Sequence, residues 1–282
     1  LAVTVSRAIL RSLAGRRPYT DTSEDCMRSL RVSVAATFAT LALVMSAAPG
    51  VARAQALPSP KEVMDKNDAA LGGRAALDKH SSVHQVGTMS VAAAGIDAQI
   101  ELFKAKPSKY MQRIALGAMG EVTQGFDGVN AWAVQPGQGP ILLDSAQTEA
   151  FKTLADYYGN FHDMARYKST ENTGVVDFDG RKCYKIKIVK LSGSEGFEFY
   201  DVSTGMIAGI QAQVDSPMGK IDQTNVFSEF KEFGGLKMPT KIQQKNGQFD
   251  ATISFTNVEF DNVDPAVFVI PEALKAKAKP VP

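Results

Sequence analysis

The chain is short of the residues that build many common sites. Only two of its 282 residues are cysteine, Cys26 and Cys183, and only three are histidine, His80, His84 and His162. Tryptophan occurs once. An excess of one charge is missing as well: 31 basic residues face 30 acidic ones, for a net charge of +1. That balance supplies no basic surface, so nucleic acid is not an expected partner. Long apolar runs are absent except at residues 32–48, about seventeen positions rich in Ala, Ser and Thr. A spanning helix needs roughly 17–25 strongly apolar residues, so this stretch is a poor membrane anchor.

What stands around that stretch gives it another meaning. Met27, Arg28 and Arg31 precede it, and Pro49-Gly50 and Val51-Ala52-Arg53-Ala54-Gln55-Ala56 follow it. A basic start, a short apolar centre and a small-x-small end describe a secretory signal peptide over residues 27–56, cut after Ala54 or Ala56. Residues 1–26 read as an upstream extension without structure. Removing residues 1–54 leaves 24 basic and 27 acidic residues, a net charge of −3. Cys26 departs with the leader, so Cys183 stays without a disulfide partner, and no cysteine stands at the cleavage site for lipid attachment. The expected location is periplasmic, soluble and unanchored. About 226 residues remain, enough for one domain over 57–272, with a frayed tail at 273–282.

Within that domain apolar and polar residues alternate, most clearly over residues 174–260. Tyr184, Ile186 and Ile188 alternate with Lys185 and Lys187; Met206, Ala208, Ile210, Ala212 and Val214 enclose Gln211 and Gln213. Leu236, Met238 and Ile242 stand against Lys237 and Lys241, and Phe249, Ala251, Ile253 and Phe255 against Asp250, Thr252 and Ser254. Period two means strands with one oily face. Asp179-Gly180, Gly234-Gly235 and Asn246-Gly247 are hairpin turns, since Gly, Asn and Asp supply the positive φ that tight turns require. Earlier segments repeat the pattern: Ile96, Ala98, Ile100 and Leu102, then Tyr110, Gln112, Ile114 and Leu116, then a pair joined across Asp127-Gly128. The expectation is about ten or eleven antiparallel strands, with boundaries good to roughly two to four residues.

Two helices interrupt the strands. Ser59-Pro60-Lys61-Glu62 carries a capping box with Pro at the first helical position, and that helix stops at Gly72-Gly73. The second starts near Asp144 or Ser145 and runs to about Tyr158, aligning Phe151, Leu154, Ala155 and Tyr158 in one stripe. Two helices cannot seal ten strands as a solid core, which suggests a curved sheet with a cavity. On pattern alone the stripe is core packing.

Catalytic chemistry is hard to find. His80 and His84 have i, i+4 spacing, but the segment between them runs out of a helix into a strand, so ordinary surface histidines are expected rather than a metal site. His162 beside Asp163 could form an acid–base pair, yet no serine stands in a nucleophile-elbow setting. Cys183 falls on the polar face between Lys182 and Lys185, where cations would lower its pKa. Gly137-Gln138-Gly139 reads as a hairpin loop rather than a phosphate cradle, and Asp177, Asp179, Asp201, Asp215 and Asp222 as turn residues rather than paired carboxylates. No enzyme activity, metal or cofactor is expected.

The segment FSEFKEFGGLKMPTKI at 227–242, followed by Asn246-Gly247 and Asp264-Pro265-Ala266-Val267-Phe268, resembles the C-terminal signature of the outer-membrane lipoprotein carrier (LolA/LolB-like) superfamily. Ala69-Ala70-Leu71-Gly72-Gly73, Phe126-Asp127-Gly128 leading to Ala131-Trp132, and Tyr200-Asp201 running into Thr204-Gly205 agree with it. The resemblance spans nearly all of 60–272, mostly through turn and packing residues. It implies a mainly β (α+β) fold: an incomplete antiparallel barrel whose concave apolar face is lidded by helices and receives acyl chains. The residues then expected to bind are Ile100, Leu102, Ile114, Trp132, Ile186, Phe199, Ile210, Phe227 and Phe255, with Phe151, Leu154 and Tyr158 as lid. The implied function is a periplasmic, monomeric carrier of a lipidated or apolar ligand, lipoprotein sorting included, served by a membrane-bound donor or acceptor protein. Two other readings compete with it. One is an envelope interaction module with a self-filled core that recruits a protein by an edge strand, and the other a hydrolase working through His162.

Overall fold

The computed structural model describes residues 56–216, 219–247 and 250–281. The leader and Phe249 lie outside the described residues. Among the described residues three α-helices precede or interrupt the strands: α1 (Pro60–Ala70), α2 (Arg74–Asp78) and α3 (Ser145–Ala155). The strands are β1 (Ser82–Val91), β2 (Ile96–Ala105), β3 (Lys109–Ala115), β4 (Glu121–Phe126), β5 (Ala131–Gln135), β6 (Gly139–Leu142), β7 (Tyr167–Phe178), β8 (Arg181–Lys190), β9 (Glu195–Asp201), β10 (Ile207–Ser216), β11 (Gly219–Phe233), β12 (Leu236–Lys245) and β13 (Ala251–Phe260). All belong to one antiparallel sheet in the order β6-β5-β4-β3-β2-β1-β13-β12-β11-β10-β9-β8-β7. Its ends, β6 and β7, do not pair with each other, so the barrel stays incomplete.

Among the described residues thirteen strands stand where ten or eleven were expected. The additions are short β6, whose Gly-Pro start hides the period, and the first half of β7, where Lys168, Ser169, Glu171 and Thr173 leave no apolar series to see.

Helix α1 starts as the capping box requires. Ser59 N donates to Glu62 Oε2 at 2.7 Å, and Glu62 N donates to Ser59 Oγ at 3.3 Å. It ends where the chain must press on the β11–β12 turn: Gly72 has φ 109°, a Cβ there would lie 2.3 Å from Gly235 O, and Lys237 N donates to Leu71 O at 2.9 Å. Helix α3 uses the same device, Asp144 with Gln147, but stops at Ala155, where Asp156 turns out with ψ 112°. Tyr158 is therefore not on the helix, and the expected stripe loses its last member. The tail read as frayed is fastened instead. Leu274 is buried in a 3-10 turn at Glu272–Lys277, and Lys279 exchanges two backbone hydrogen bonds with the Asn130 side chain at 2.8 and 2.9 Å.

Both faces of the sheet carry apolar residues in places. Cys183 has the parity of the outer face, but that face is oily there: Cys183 is buried with Phe199 and Ala208, flanked by Val176, Phe178 and Phe197. Burial pushes its thiol up to about 11, the reverse of the activation expected from neighbouring lysines. The native protein should therefore resist alkylation by iodoacetamide at pH 8 over hours and label stoichiometrically in urea. Fast native labelling would show that this face opens.

Candidate ligand-binding site

Cross-strand neighbours share a face, so register decides which side chains meet in the concavity. Ile100 stands opposite Ile114 and Gly87, Met89 opposite Ala98 and Ile253, and Ile253 opposite Ile242, which in turn faces Phe227. These form one continuous apolar floor from β4 to β11. Helix α3 lies on it through buried Phe151 and Ala155, with the Phe151 ring edge-on to Tyr110 at 5.9 Å. Ala131 and Ala133 point to the same side from β5, and their small side chains let the helix come close.

Of the twelve residues expected to bind, six lie buried in this cluster: Ile100, Leu102, Ile114, Phe151, Phe227 and Phe255. Leu154 and Ile210 pack against it half-buried. Ile186 faces inward too, but beneath α1, with Val63, Met64, Ile188 and Tyr200. Tyr158 sits in a third cluster beside Phe230, Phe233 and Phe260, where Arg74 stacks on its ring at 4.4 Å.

Two of the twelve face the other way. Trp132 pairs with Gly125 across β4–β5, and its ring fills the space where a Gly125 Cβ would stand, 2.2 Å from Cζ2. The inward parity in β5 belongs to the alanines instead. Phe199 stacks on Phe178 at 4.0 Å on the outer face, while Glu198 and Tyr200 take the inward parity opposite Ile186 and Tyr184. A register shift between Ile207 and Gly209 likewise turns Ala208 outward and leaves Ile207 and Ile210 facing in.

The floor is closed in this conformation, with Ile100 and Ile253 at 0 % exposure and Leu102 at 1 %. A hollow of about 280 Å³ opens beside it, between α1 and β8–β9, lined by Glu62, Val63, Lys66, Tyr184 and Tyr200 among others. That is near the lower end of the roughly 300–1,000 Å³ of small-molecule sites, so a long chain would need the lid to move.

The two covering helices are held differently. Asn67 Oδ1 on α1 accepts from Ile207 N at 2.8 Å, and Asp68 accepts from both Nδ1 (2.7 Å) and the backbone N–H (2.9 Å) of His162. His162 Nε2 lies 2.8 Å from Tyr200 Oη and 3.3 Å from Glu198 Oε2, and Tyr200 donates to Glu198. Burial works against a charge on His162, but hydrogen bonds to Asp68 and Glu198 and the charges of both carboxylates raise its pKa to about 9. It is an imidazolium clamp between two acids, fully occupied in holding α1 to β9. Among the described residues no such clamp holds helix α3. The side-chain bonds of Thr148 and Lys152 run along the helix itself, to Asp144 O and Glu149, and its grip on the sheet is apolar.

The other histidines are apart from each other. His80 bonds Asp261 and Gly234 O at a turn, and His84 stacks on Phe103 from β1. Sequence reasoning missed Asp68 and Glu198 because both lie far along the chain from His162.

No helix among the described residues is long and apolar enough to cross a membrane. No protein-family model matches the sequence, and no curated relative was found by sequence. Solved structures do match. A DUF1329 family protein from Desulfovibrio piger shares 11 % identity with a TM-score of 0.54, over 78 % of this chain and 98 % of that one. A putative outer membrane lipoprotein-sorting protein domain from Vibrio parahaemolyticus gives 11 % and 0.52, over 73 % and 94 %. A LolA superfamily protein from Nitrosomonas europaea gives 12 % and 0.50, over 76 % and 98 %. Together with the unclosed antiparallel sheet and its covering helices, these matches show that the chain has a LolA-like fold.

Proposed function

We propose that the protein is a periplasmic carrier that shelters the acyl part of a lipidated or otherwise apolar ligand on its concave face, without covalent chemistry. The observation that supports this reading most is the contrast in the covers: a continuous apolar floor lies under α3, whose contacts with the sheet among the described residues are apolar, while α1 is clamped by His162. A lid must let go without unfolding the sheet. Each methylene of an acyl chain that replaces Phe151 and Leu154 on the floor contributes roughly 0.8 kcal/mol, enough for useful affinity from a chain alone.

Native mass spectrometry of protein purified from its own host tests this directly. A copurified lipid mass is the expected result. Replacing the half-buried Leu154 or Ile210 with Asp should abolish uptake of a fluorescent acyl probe while the far-UV spectrum stays that of the sheet. Normal uptake by both variants would sink the assignment.

The filled floor favours a second reading. If Ile100, Ile253 and their neighbours are simply a core, the molecule is an envelope interaction module whose unpaired edge strands, β6 and β7, recruit a partner by strand addition. A clean apo mass with a stable protein partner would favour that module.

A further inference from the structure

A row of amides crosses the apolar floor. Register sets Gln124 on β4 opposite Gln112 on β3, Gln112 opposite Leu102 on β2, and Leu102 opposite Gln85 on β1. All four face inward, because Val122, Ile114, Ile100 and Met89 of the floor have the same parity on those strands. Gln124, Gln112 and Gln85 are buried, at 8 %, 2 % and 4 % exposure. Directly opposite side chains stand about 4.5–5.5 Å apart at Cβ, so Gln112 and Gln124 are neighbours, and only Leu102 separates Gln112 from Gln85. The row lies at the lid: Tyr110, on the same face of β3, meets the Phe151 ring of α3 at 5.9 Å and donates from Oη to Gln112 Oε1 at 2.6 Å. That bond occupies one end of the amide. The other end, Gln112 Nε2, is buried and has no partner. The pattern recurs across the concavity, where Gln244 on β12 stands opposite Asn225 on β11, both buried at the parity of Ile242 and Phe227. Gln244 Nε2 is unpartnered too.

A floor that served only as core would be better filled by Leu or Met at these positions, since a buried donor left unmet has lost its hydrogen bonds to water and gained none. Both unmet groups are amide N–H₂, which can only donate, so what is missing beside them is an acceptor. The surroundings select its kind. A carboxylate or phosphate brought among Leu102, Ile114 and Phe151 would give up its hydration to amides that carry no charge, whereas a carbonyl has far less hydration to lose. We propose that the amide row receives the carbonyls through which acyl chains are linked to a lipid, so that the ligand is an ester- or amide-linked acyl lipid held by its linkage as well as by its hydrocarbon. This rests on the carrier reading and names the part of the ligand that the floor recognises. A free glycerolipid and the diacylglyceryl group of a lipoprotein offer the same carbonyls.

The test uses the purified protein carrying phenylnaphthylamine, an uncharged fluorescent reporter, and displaces it with dioctanoylglycerol or with the diether dioctylglycerol. The chains are equal in length, but the ether has methylenes where the ester has carbonyls. Burial of hydrocarbon alone favours the ether. The amides should reverse that order, the ester displacing the reporter at about tenfold lower concentration, as one or two hydrogen bonds allow. Replacing Tyr110→Phe and Gln112→Met together removes both partners of the 2.6 Å bond, so the double variant should unfold at the wild-type midpoint and lose the ester preference while its affinity for the ether is kept. Tyr110→Phe alone should keep the preference.

A diacylglyceryl-cysteine peptide with the same chains, more potent than dioctanoylglycerol, would assign the carbonyls to a lipoprotein; the reverse order would assign them to a free glycerolipid. If the wild type takes the ether as readily as the ester, the proposal is overturned and the carrier stands, the orphan N–H groups then being met by water. The wild-type ratio decides this even where the double variant does not fold. A folded double variant that keeps the ester preference, or that loses the ether as well, also overturns it. If the reporter itself does not bind, the reading of the concave face as a ligand site fails.

Discussion

Replacing His162 with Ala should destabilise the protein by about 3–5 kcal/mol, the range seen when one partner of a buried ion pair is removed. The loss comes from what stays behind. Asp68 and Glu198 would face each other across the vacated ring, and Asp68 Oδ1, which met Nδ1 at 2.7 Å, would keep only the long bond from Asn67 Nδ2 at 3.3 Å, the backbone N–H of residue 162 staying on Oδ2. His162→Gln, which can still donate but carries no charge, should cost less. The same clamp has a pH signature with a definite sign. Its folded pKa of about 9 lies above the unfolded value of 6.5, so the folded state holds the extra proton between those values. The stabilisation is complete below about pH 6.5 and drains away as the pH rises towards 9. At 1.36 kcal/mol per pKa unit the clamp is worth roughly 3 kcal/mol. Lys104 acts oppositely, but only above about pH 8, where its folded pKa lies below the unfolded one and stability rises with pH. His80, whose pKa is also raised by its bonds to Asp261 and Gly234 O, contributes in the same direction, so urea midpoints at pH 6.5 and 8 read His162 by difference: the wild type should lose clearly more stability across that interval than His162→Ala. Parallel curves for the two proteins would remove His162 from the account.

How far the chain could be read without coordinates depended on whether the information was local. The capping boxes at Ser59 and Asp144 use residues three apart, and both helices start where those residues stand. Asp179 at φ 49° and Gly180 at φ 75° make the β7–β8 turn for reasons contained in the dipeptide. Parity is less local. Within a strand it says only that Phe197 and Phe199 share a face, and Glu198 and Tyr200 the other; which face looks inward is decided by the pairing with β8 and, across a bulge, with β10. Hydrophobicity misleads at that step, since on β8–β10 both faces are oily. The polar members of the concavity show the same limit. The His162 clamp is assembled from α1, the chain after α3 and β9, so no window of the sequence contains it.

Trp132→Ala should cost about 3–5 kcal/mol, as for other buried aromatic residues, and should leave acyl-probe binding unchanged once the protein is folded. Trp132 is 2 % exposed, but its ring lies on the outer face over Gly125, away from the floor under α3. The site predicts its own partner. An added Cβ at Gly125 would stand 2.2 Å from Cζ2 and 2.5 Å from Cε2 of the indole, and a ring locked between strands cannot step aside as a flexible chain end could. Gly125→Ala should therefore destabilise the wild type by roughly 1–3 kcal/mol. Glycine is not needed there for its backbone, since Gly125 is absent from the positive-φ residues. With the indole gone, the methyl group enters the space it vacates, and the penalty should vanish or change sign. Denaturant unfolding of the two single variants and the double variant measures this coupling, which for residues in contact runs to about 0.5–3 kcal/mol. Additive losses would mean that the ring does not lie on Gly125; a loss of probe binding by folded Trp132→Ala would return Trp132 to the concave face, and with it the parity of β5 on which the approach of α3 depends.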